Sequence, residues 1–144
     1  MRLFECQACG QALYFENVRC ESCGHRLGYL SSLATISALE PAGDKWRALA
    51  DPEKRYRYCA NVEHDTCNWL VAYESPESFC LACRHNSTIP NLSQQGNLLL
   101  WRKIEVAKHR LFYSLLRLQL PLITKSLDPC GLAFEFLDAE GQPV

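Results

Sequence analysis

Long apolar runs are missing from this chain. No stretch approaches the roughly 20 apolar residues that a bilayer crossing needs. The start, Met1-Arg2-Leu3-Phe4-Glu5-Cys6, lacks the apolar h-region of a secretory signal. An excess of charge of one sign is missing too. Fifteen Lys and Arg against 16 Asp and Glu leave a net charge of −1, which argues against a strongly basic nucleic-acid clamp. There is no Gly-x-Ser-x-Gly elbow, no phosphate-binding glycine loop and no His-Glu-x-x-His. The four histidines, His25, His64, His85 and His109, are scattered. Nothing in the chain is of low complexity.

The 144 residues, 48% hydrophobic and 22% charged, describe a globular chain of one ordinary domain or two small ones. The informative feature is nine cysteines. Four fall in the first 23 residues and four between 59 and 83, while Cys130 stands alone. Without a secretory signal the expected compartment is the reducing cytoplasm, where clustered cysteines point to metal rather than to disulfides.

Spacing sharpens this. Cys6-Gln-Ala-Cys9-Gly10 and Cys20-Glu-Ser-Cys23-Gly24 are two Cys-x2-Cys-Gly turns. Each holds two thiolates on one tight turn, and the glycine lets the chain curl with φ > 0. Together they supply four sulfurs, which suits closed-shell, redox-inert zinc. A segment this short cannot bury enough apolar surface to fold alone. Metal binding would carry its folding, on the order of 10–16 kcal/mol. Phe4, Leu13, Tyr14, Phe15 and Tyr29 are expected to form the small core around the site. Iron in a rubredoxin-like electron carrier uses the same donors, and sequence does not separate the two ions. His25, just past Cys23, is read as a neighbour rather than a ligand.

A second set is looser. Cys80-Leu-Ala-Cys83 is one good pair, and Cys59 and Cys67 make the other half. Four thiolates is the first reading, with His64 or His85 as a replacement for one cysteine. Arg55, Arg57 and Arg84 flank the set and are expected to donate hydrogen bonds to sulfur. Eight thiolates with two zinc ions would move the formal charge from −1 to about −5. Neither set has the mixed His and carboxylate ligands of a catalytic zinc. Cys130 is read as structural or incidental.

Organisation follows. Residues 1–30 read as a zinc ribbon and 31–58 as a connector, with a short helix from Asp44 to Leu49. Residues 59–90 read as a second four-cysteine, zinc-knuckle lobe. Residues 91–144 read as a long amphipathic helix plus a strand. Gly96-Asn97 starts the helix, which runs from Leu98 to about Leu120 before Pro121. Leu100, Ile104, Ala107, Leu111, Leu115 and Leu118 mark its apolar face, widened by Trp101, Phe112 and Leu116. Trp69 to Tyr73 reads as a buried strand, Leu132 to Leu137 as another, and Asp138 to Gly141 as a turn. The fold class is a small metal-stabilised α+β protein.

The chain resembles the N-terminal part of a bacterial family of putative zinc-binding metallopeptidases that begin with a zinc ribbon. The matching stretches are the two Cys-x2-Cys-Gly turns, Arg57-Tyr-Cys-Ala-Asn with Cys67-Asn-Trp-Leu, and Phe79-Cys-Leu-Ala-Cys-Arg. They continue with Asn86-Ser-Thr-Ile-Pro-Asn-Leu, Leu100-Trp-Arg-Lys-Ile-Glu, Ala107-Lys-His-Arg-Leu, Tyr113-Ser-Leu-Leu and Gly131-Leu-Ala-Phe-Glu-Phe-Leu. The resemblance implies that Cys6, Cys9, Cys20, Cys23, Cys59, Cys67, Cys80 and Cys83 are zinc ligands, two ions in all. It implies nothing catalytic here, because the family's His-Glu-x-x-His lies past the matched part. The long helix would open the peptidase domain, and the chain would be a fragment or a short relative.

The expected function is therefore a non-catalytic zinc-binding module with a structural or protein-recognition role. A nucleic-acid-binding zinc ribbon is the alternative, resting on Arg84, Arg102, Lys103, Lys108, Arg110 and Arg117 against Glu105 alone between residues 84 and 117. An iron electron carrier is the third reading. The expected partner is a protein or a downstream peptidase domain, or a second copy through the helix, and not a membrane.

Overall fold

A computed structural model describes residues 2–137. Its first 24 residues fold around two cysteine turns. Strand β1 (Phe4–Glu5) precedes the first turn and β2 (Ala12–Leu13) follows it, an antiparallel pair with Phe4 opposite Leu13. Phe4, Leu13 and Phe15 are buried beneath this pair, but Tyr14 is 65% exposed and leaves the expected core.

Five strands follow as an antiparallel meander in chain order: β3 (Arg26–Leu30), β4 (Thr35–Ala42), β5 (Lys45–Ala48), β6 (Asp51–Tyr58) and β7 (Leu70–Ala72). The sheet curls so that its first strand meets the chain leading into its last. The Tyr29 amide donates to the Asn68 carbonyl at 2.9 Å. Gly28 lies so near this closure that a Cβ there would sit 2.6–2.9 Å from three Leu70 side-chain carbons.

This sheet corrects the reading of 31–58 as a connector with a helix. Residues 45–48 are a strand, and Asp44 belongs to a turn rather than a helix cap. Gly43 takes φ +71°, and Ala42 pairs with Lys45 across the two-residue turn Gly43-Asp44. A glycine at positive φ in a two-residue loop favours a hairpin, whose twist matches that of its strands. The proposed boundaries at 30 and 58 both cut across paired strands, β3 with β4 and β6 with β7.

The expected strand around Trp69 is present as β7, and Trp69 itself is fully buried. Its ring meets Tyr29 at 4.5 Å, Phe15 at 6.2 Å and His109 at 5.3 Å between centroids. This aromatic cluster joins the N-terminal turns, the sheet and the helix.

The helix α1 spans Asn97–Arg117. It ends before Pro121 because Gln119 turns to φ +55°. The Gln119 amide then donates to the Leu116 carbonyl and the Leu120 amide to the Leu115 carbonyl. This is a Schellman closure made without glycine. The expected strand over Leu132–Leu137 shortens to β9 (Phe134–Glu135), parallel to β8 (Asn86–Thr88). The expected turn from Asp138 lies outside the described residues.

The helix turns a different face inward than its leucines suggest. Leu100, Ile104, Leu111 and Leu118 are 59%, 48%, 43% and 68% exposed. Trp101, Glu105, Lys108, His109, Phe112 and Tyr113 are buried instead. Those positions recur at helical spacing as well as the leucines do. The polar members can go inside because partners wait there: Asn86 for Glu105 and Lys108, and cysteine sulfur for His109.

The close approach at Gly28 is testable. Gly28→Ala forces the buried Leu70 side chain to move and is expected to cost about 1–3 kcal/mol. Denaturant unfolding of the metal-loaded chain measures it.

Candidate metal centres

The first cysteine group is built from local hydrogen bonds. The Cys9 and Gly10 amides both donate to the Cys6 carbonyl, and the Gly24 amide donates to that of Cys20. Gly10 and Gly24 adopt φ +74° and +77°. The amides of Cys6 and Cys20 are returned to the carbonyls of Gln11 and His25. Each turn is thus closed on itself and aims two sulfurs at the other turn. Cys6 Sγ lies 3.6 Å from Cys23 Sγ, and Cys9 Sγ lies 3.6 Å from Cys20 Sγ.

Four sulfurs at about 2.3 Å from one zinc sit about 3.8 Å apart at tetrahedral corners. The spacing fits, and all four sulfurs lie within 4.8 Å of one another. Cys6 and Cys20 are buried, whereas Cys9 and Cys23 are exposed. Hydrogen bonding from the Gln11 amide lowers the Cys9 thiol from 9.0 to about 7. Burial pushes Cys6 up. Cys23 receives a lowering hydrogen bond from the His25 amide, but desolvation and the three neighbouring sulfurs push it up to about 12. Cys9 can therefore offer a thiolate to an incoming cation near neutral pH. His25 stays outside the group, with Nδ1 3.2 Å from Cys23 Sγ.

The second group gathers residues from separate elements. Cys59 follows β6, Cys67 lies shortly before β7, and Cys80 and Cys83 sit on a turn ending in a 3-10 segment, Cys83–His85. All four are buried, and their sulfurs lie within 4.8 Å of one another. Cys67 Sγ is 3.7 Å from Cys80 Sγ, again a tetrahedral edge. Amides feed three of the sulfurs: Cys80 donates to Cys59 at 3.3 Å, Trp69 to Cys67 at 3.4 Å and Cys83 to Cys80 at 3.4 Å. Such N–H···S bonds favour the thiolates a metal needs. Burial drives the Cys67 thiol upward, whereas Cys80 is held low by hydrogen bonds from its neighbours despite its burial.

The two histidines weighed as replacements do not join either group. His64 Nε2 faces Glu63, and its ring lies against Trp101. His85 Nδ1 donates to the Leu81 carbonyl at 2.8 Å, and its ring packs on Phe112. Among the described residues the flanking arginines donate to no sulfur. Arg57 donates to the carbonyls of Tyr73, Ser75 and Glu77, and Arg55 to those of Pro52 and Lys54. Cys130 is exposed and its amide donates to Asp128.

The residue that the sequence reading passed over is His109. Its Nε2 is 3.4 Å from Cys67 Sγ and 3.5 Å from Cys83 Sγ. His109 follows Glu105 by one helical turn and adjoins Lys108, but that local pattern does not point to the cysteines. Glu105 is fully buried. Its Oε1 accepts from Lys108 Nζ at 2.8 Å, Asn86 Nδ2 at 2.9 Å and Trp101 Nε1 at 3.2 Å. Lys108 also donates to Asn86 Oδ1. A buried ion pair is tolerable only when its remaining hydrogen-bonding groups are met, and Asn86 and Trp101 meet them here. A cleft of about 310 Å³ between the N-terminal turns and α1 reaches Cys67 and His109 from outside.

Comparison with known proteins matches the chain in two parts. Residues 3–94 match the model of a zinc-ribbon domain family. The chain belongs to that family. Residues 97–144 match a second family, described as putative zinc-binding metallo-peptidase. Uncharacterised proteins of Mycobacterium bovis and of two Mycobacterium tuberculosis strains are each 37% identical over 145 residues, covering 100% of this chain. The chain spans 39% of the length of these relatives. No solved structure matches it significantly. Both families are zinc-binding by description, and the two four-cysteine groups can bind zinc.

The unequal burial predicts unequal lability. With both groups loaded, a chromogenic chelator is expected to strip metal in two phases, the fast one from Cys6, Cys9, Cys20 and Cys23. Cys9→Ser should abolish the fast phase and leave the slow one unchanged. Uptake at the first group should weaken as pH falls, because the raised Cys6 and Cys23 thiols must shed protons before they bind.

Proposed function

We propose that this chain is a non-catalytic zinc-binding module, the N-terminal part of a zinc metallopeptidase-type protein, with two structural zinc ions. Cys6, Cys9, Cys20 and Cys23 hold one ion, and Cys59, Cys67, Cys80 and Cys83 the other. The observation that carries this reading is the closed donor set of both groups. Each brings four sulfurs within 4.8 Å of one another, the all-thiolate donor set of a structural rather than a catalytic zinc. The sequence also contains no His-Glu-x-x-His.

The partner on this reading is a protein surface, and the remainder of a peptidase-type chain is the first candidate. The relatives are more than twice as long as this chain. The exposed leucines of α1 form an apolar stripe of the kind such a surface covers. Self-association through the same stripe is the competing occupant. No helix among the described residues is long and apolar enough to cross a membrane, and a cytoplasmic setting keeps the thiols reduced for metal.

The nucleic-acid reading is weakened by how the basic residues are engaged. Arg102 donates to the His64 carbonyl and Asp65, Arg110 to Glu16, and Lys108 is buried against Glu105. Metal analysis separates the remaining readings. Two zinc ions per chain, a colourless protein and no hydrolysis of a casein substrate are the expected results. Red colour from iron would support the electron carrier, and fewer than two metals would overturn the layout. Ile104→Glu with Leu111→Glu is expected to leave metal content unchanged while abolishing any concentration-dependent mass increase in light scattering.

A further inference from the structure

The geometry points to His109 as a fifth donor to the second metal centre, held in reserve for Cys83, so that the ion stays bound by Cys59, Cys67, Cys80 and His109 when the Cys83 sulfur is lost. This rests on the second cysteine group being a metal centre.

Three observations carry it. The first is distance. A zinc–sulfur bond of about 2.3 Å and a zinc–nitrogen bond of about 2.0–2.1 Å place the two donors about 3.5 Å apart on one tetrahedral ion. His109 Nε2 stands at 3.4 and 3.5 Å from Cys67 and Cys83, at the separation two ligands of one ion keep.

The second is the ring's orientation. His109 Nδ1 lies 2.7 Å from the Glu105 carbonyl, which only accepts, so Nδ1 carries the hydrogen. In the neutral ring Nε2 then presents its lone pair to the sulfurs. Metal-ligating histidines are held in this way, with the far nitrogen donated to a carbonyl or carboxylate. That carbonyl belongs to the backbone of α1 one turn earlier, so the helix itself braces the imidazole from behind. His85 shares the Nδ1-to-carbonyl bond, yet among the described residues its buried Nε2 faces no hydrogen-bond partner.

The third is the inequality of the four sulfurs. Cys59, Cys67 and Cys80 each accept a backbone amide. Cys83 instead points its thiol at a carboxylate oxygen, Glu105 Oε2, at 3.8 Å. Among the described residues it is the one sulfur of the four that accepts no backbone amide, and His109 stands beside it.

Cobalt(II) loading of the full 144-residue chain tests the assignment. Wild type and His109→Ala are expected to bind two ions with all-sulfur spectra. Cys83→Ala is expected to keep two ions. Its charge-transfer absorption should fall by one thiolate's share, and its ligand-field bands should move to shorter wavelength, as three sulfurs and one nitrogen require. Cys83→Ala with His109→Ala should bind one ion. The inference is overturned if Cys83→Ala binds only one ion, or if adding His109→Ala changes neither its stoichiometry nor its spectrum. Cys83→Ser is run in parallel. Failure of both Cys83 variants to fold also counts against reserve ligation, because an ion held by His109 would hold the fold. A wild type that binds fewer than two ions would instead sink the two-centre reading itself.

Discussion

The convergence of sulfur atoms on two points is the constraint that the rest of the structure serves. The first group needs only its own turns, since hydrogen bonds within six residues close each Cys-x2-Cys-Gly loop. The second needs the whole molecule. Its cysteines come from the end of β6, the approach to β7 and the Cys80–Cys83 turn, so they meet only once the sheet has formed. An ion there ties the sheet to the turn that leads into β8, in place of the larger apolar core that a chain of this size would otherwise need.

Helix α1 is fixed by the same centre. Its inward face carries Glu105, Lys108 and His109 among aromatic residues, and each polar group finds a partner: Asn86, Trp101 or a cysteine sulfur. The cost of burying a carboxylate and an ammonium is offset by this mutual satisfaction rather than by apolar packing. The outward face keeps its leucines in the open, and the proposed docking surface rests on them.

What the sequence made legible depended on range. The first centre could be read directly because spacing and glycines act within a few residues. The second could be read in composition, but not in its neighbours, because His109 lies 26 residues beyond Cys83 and only tertiary packing brings them together. The segment 44–49 misled because Asp44 suits both a helix cap and a hairpin turn. The pairing of Ala42 with Lys45, which favours the hairpin, is visible only once the sheet exists. The helix was placed to within a few residues, and Trp101 and Phe112 of its expected face are buried, but Leu100, Ile104, Leu111 and Leu118 lie outside. Leucine periodicity marks an apolar surface without saying whether this chain or another covers it, and a buried ion pair has no signature until Asn86 is set opposite it.

The contacts between the cysteine region and α1 all cross the seam between the two matched families, after residue 94 and before residue 97. Asn86 and the cysteine sulfurs stand on one side, and Trp101, Glu105, Lys108 and His109 on the other. That seam divides sequence ancestry, whereas the folded unit straddles it. The two sides are bound to drift together: exchanging either one for a distant cousin's version would strand a charge in the interior unless the opposite side changed in step.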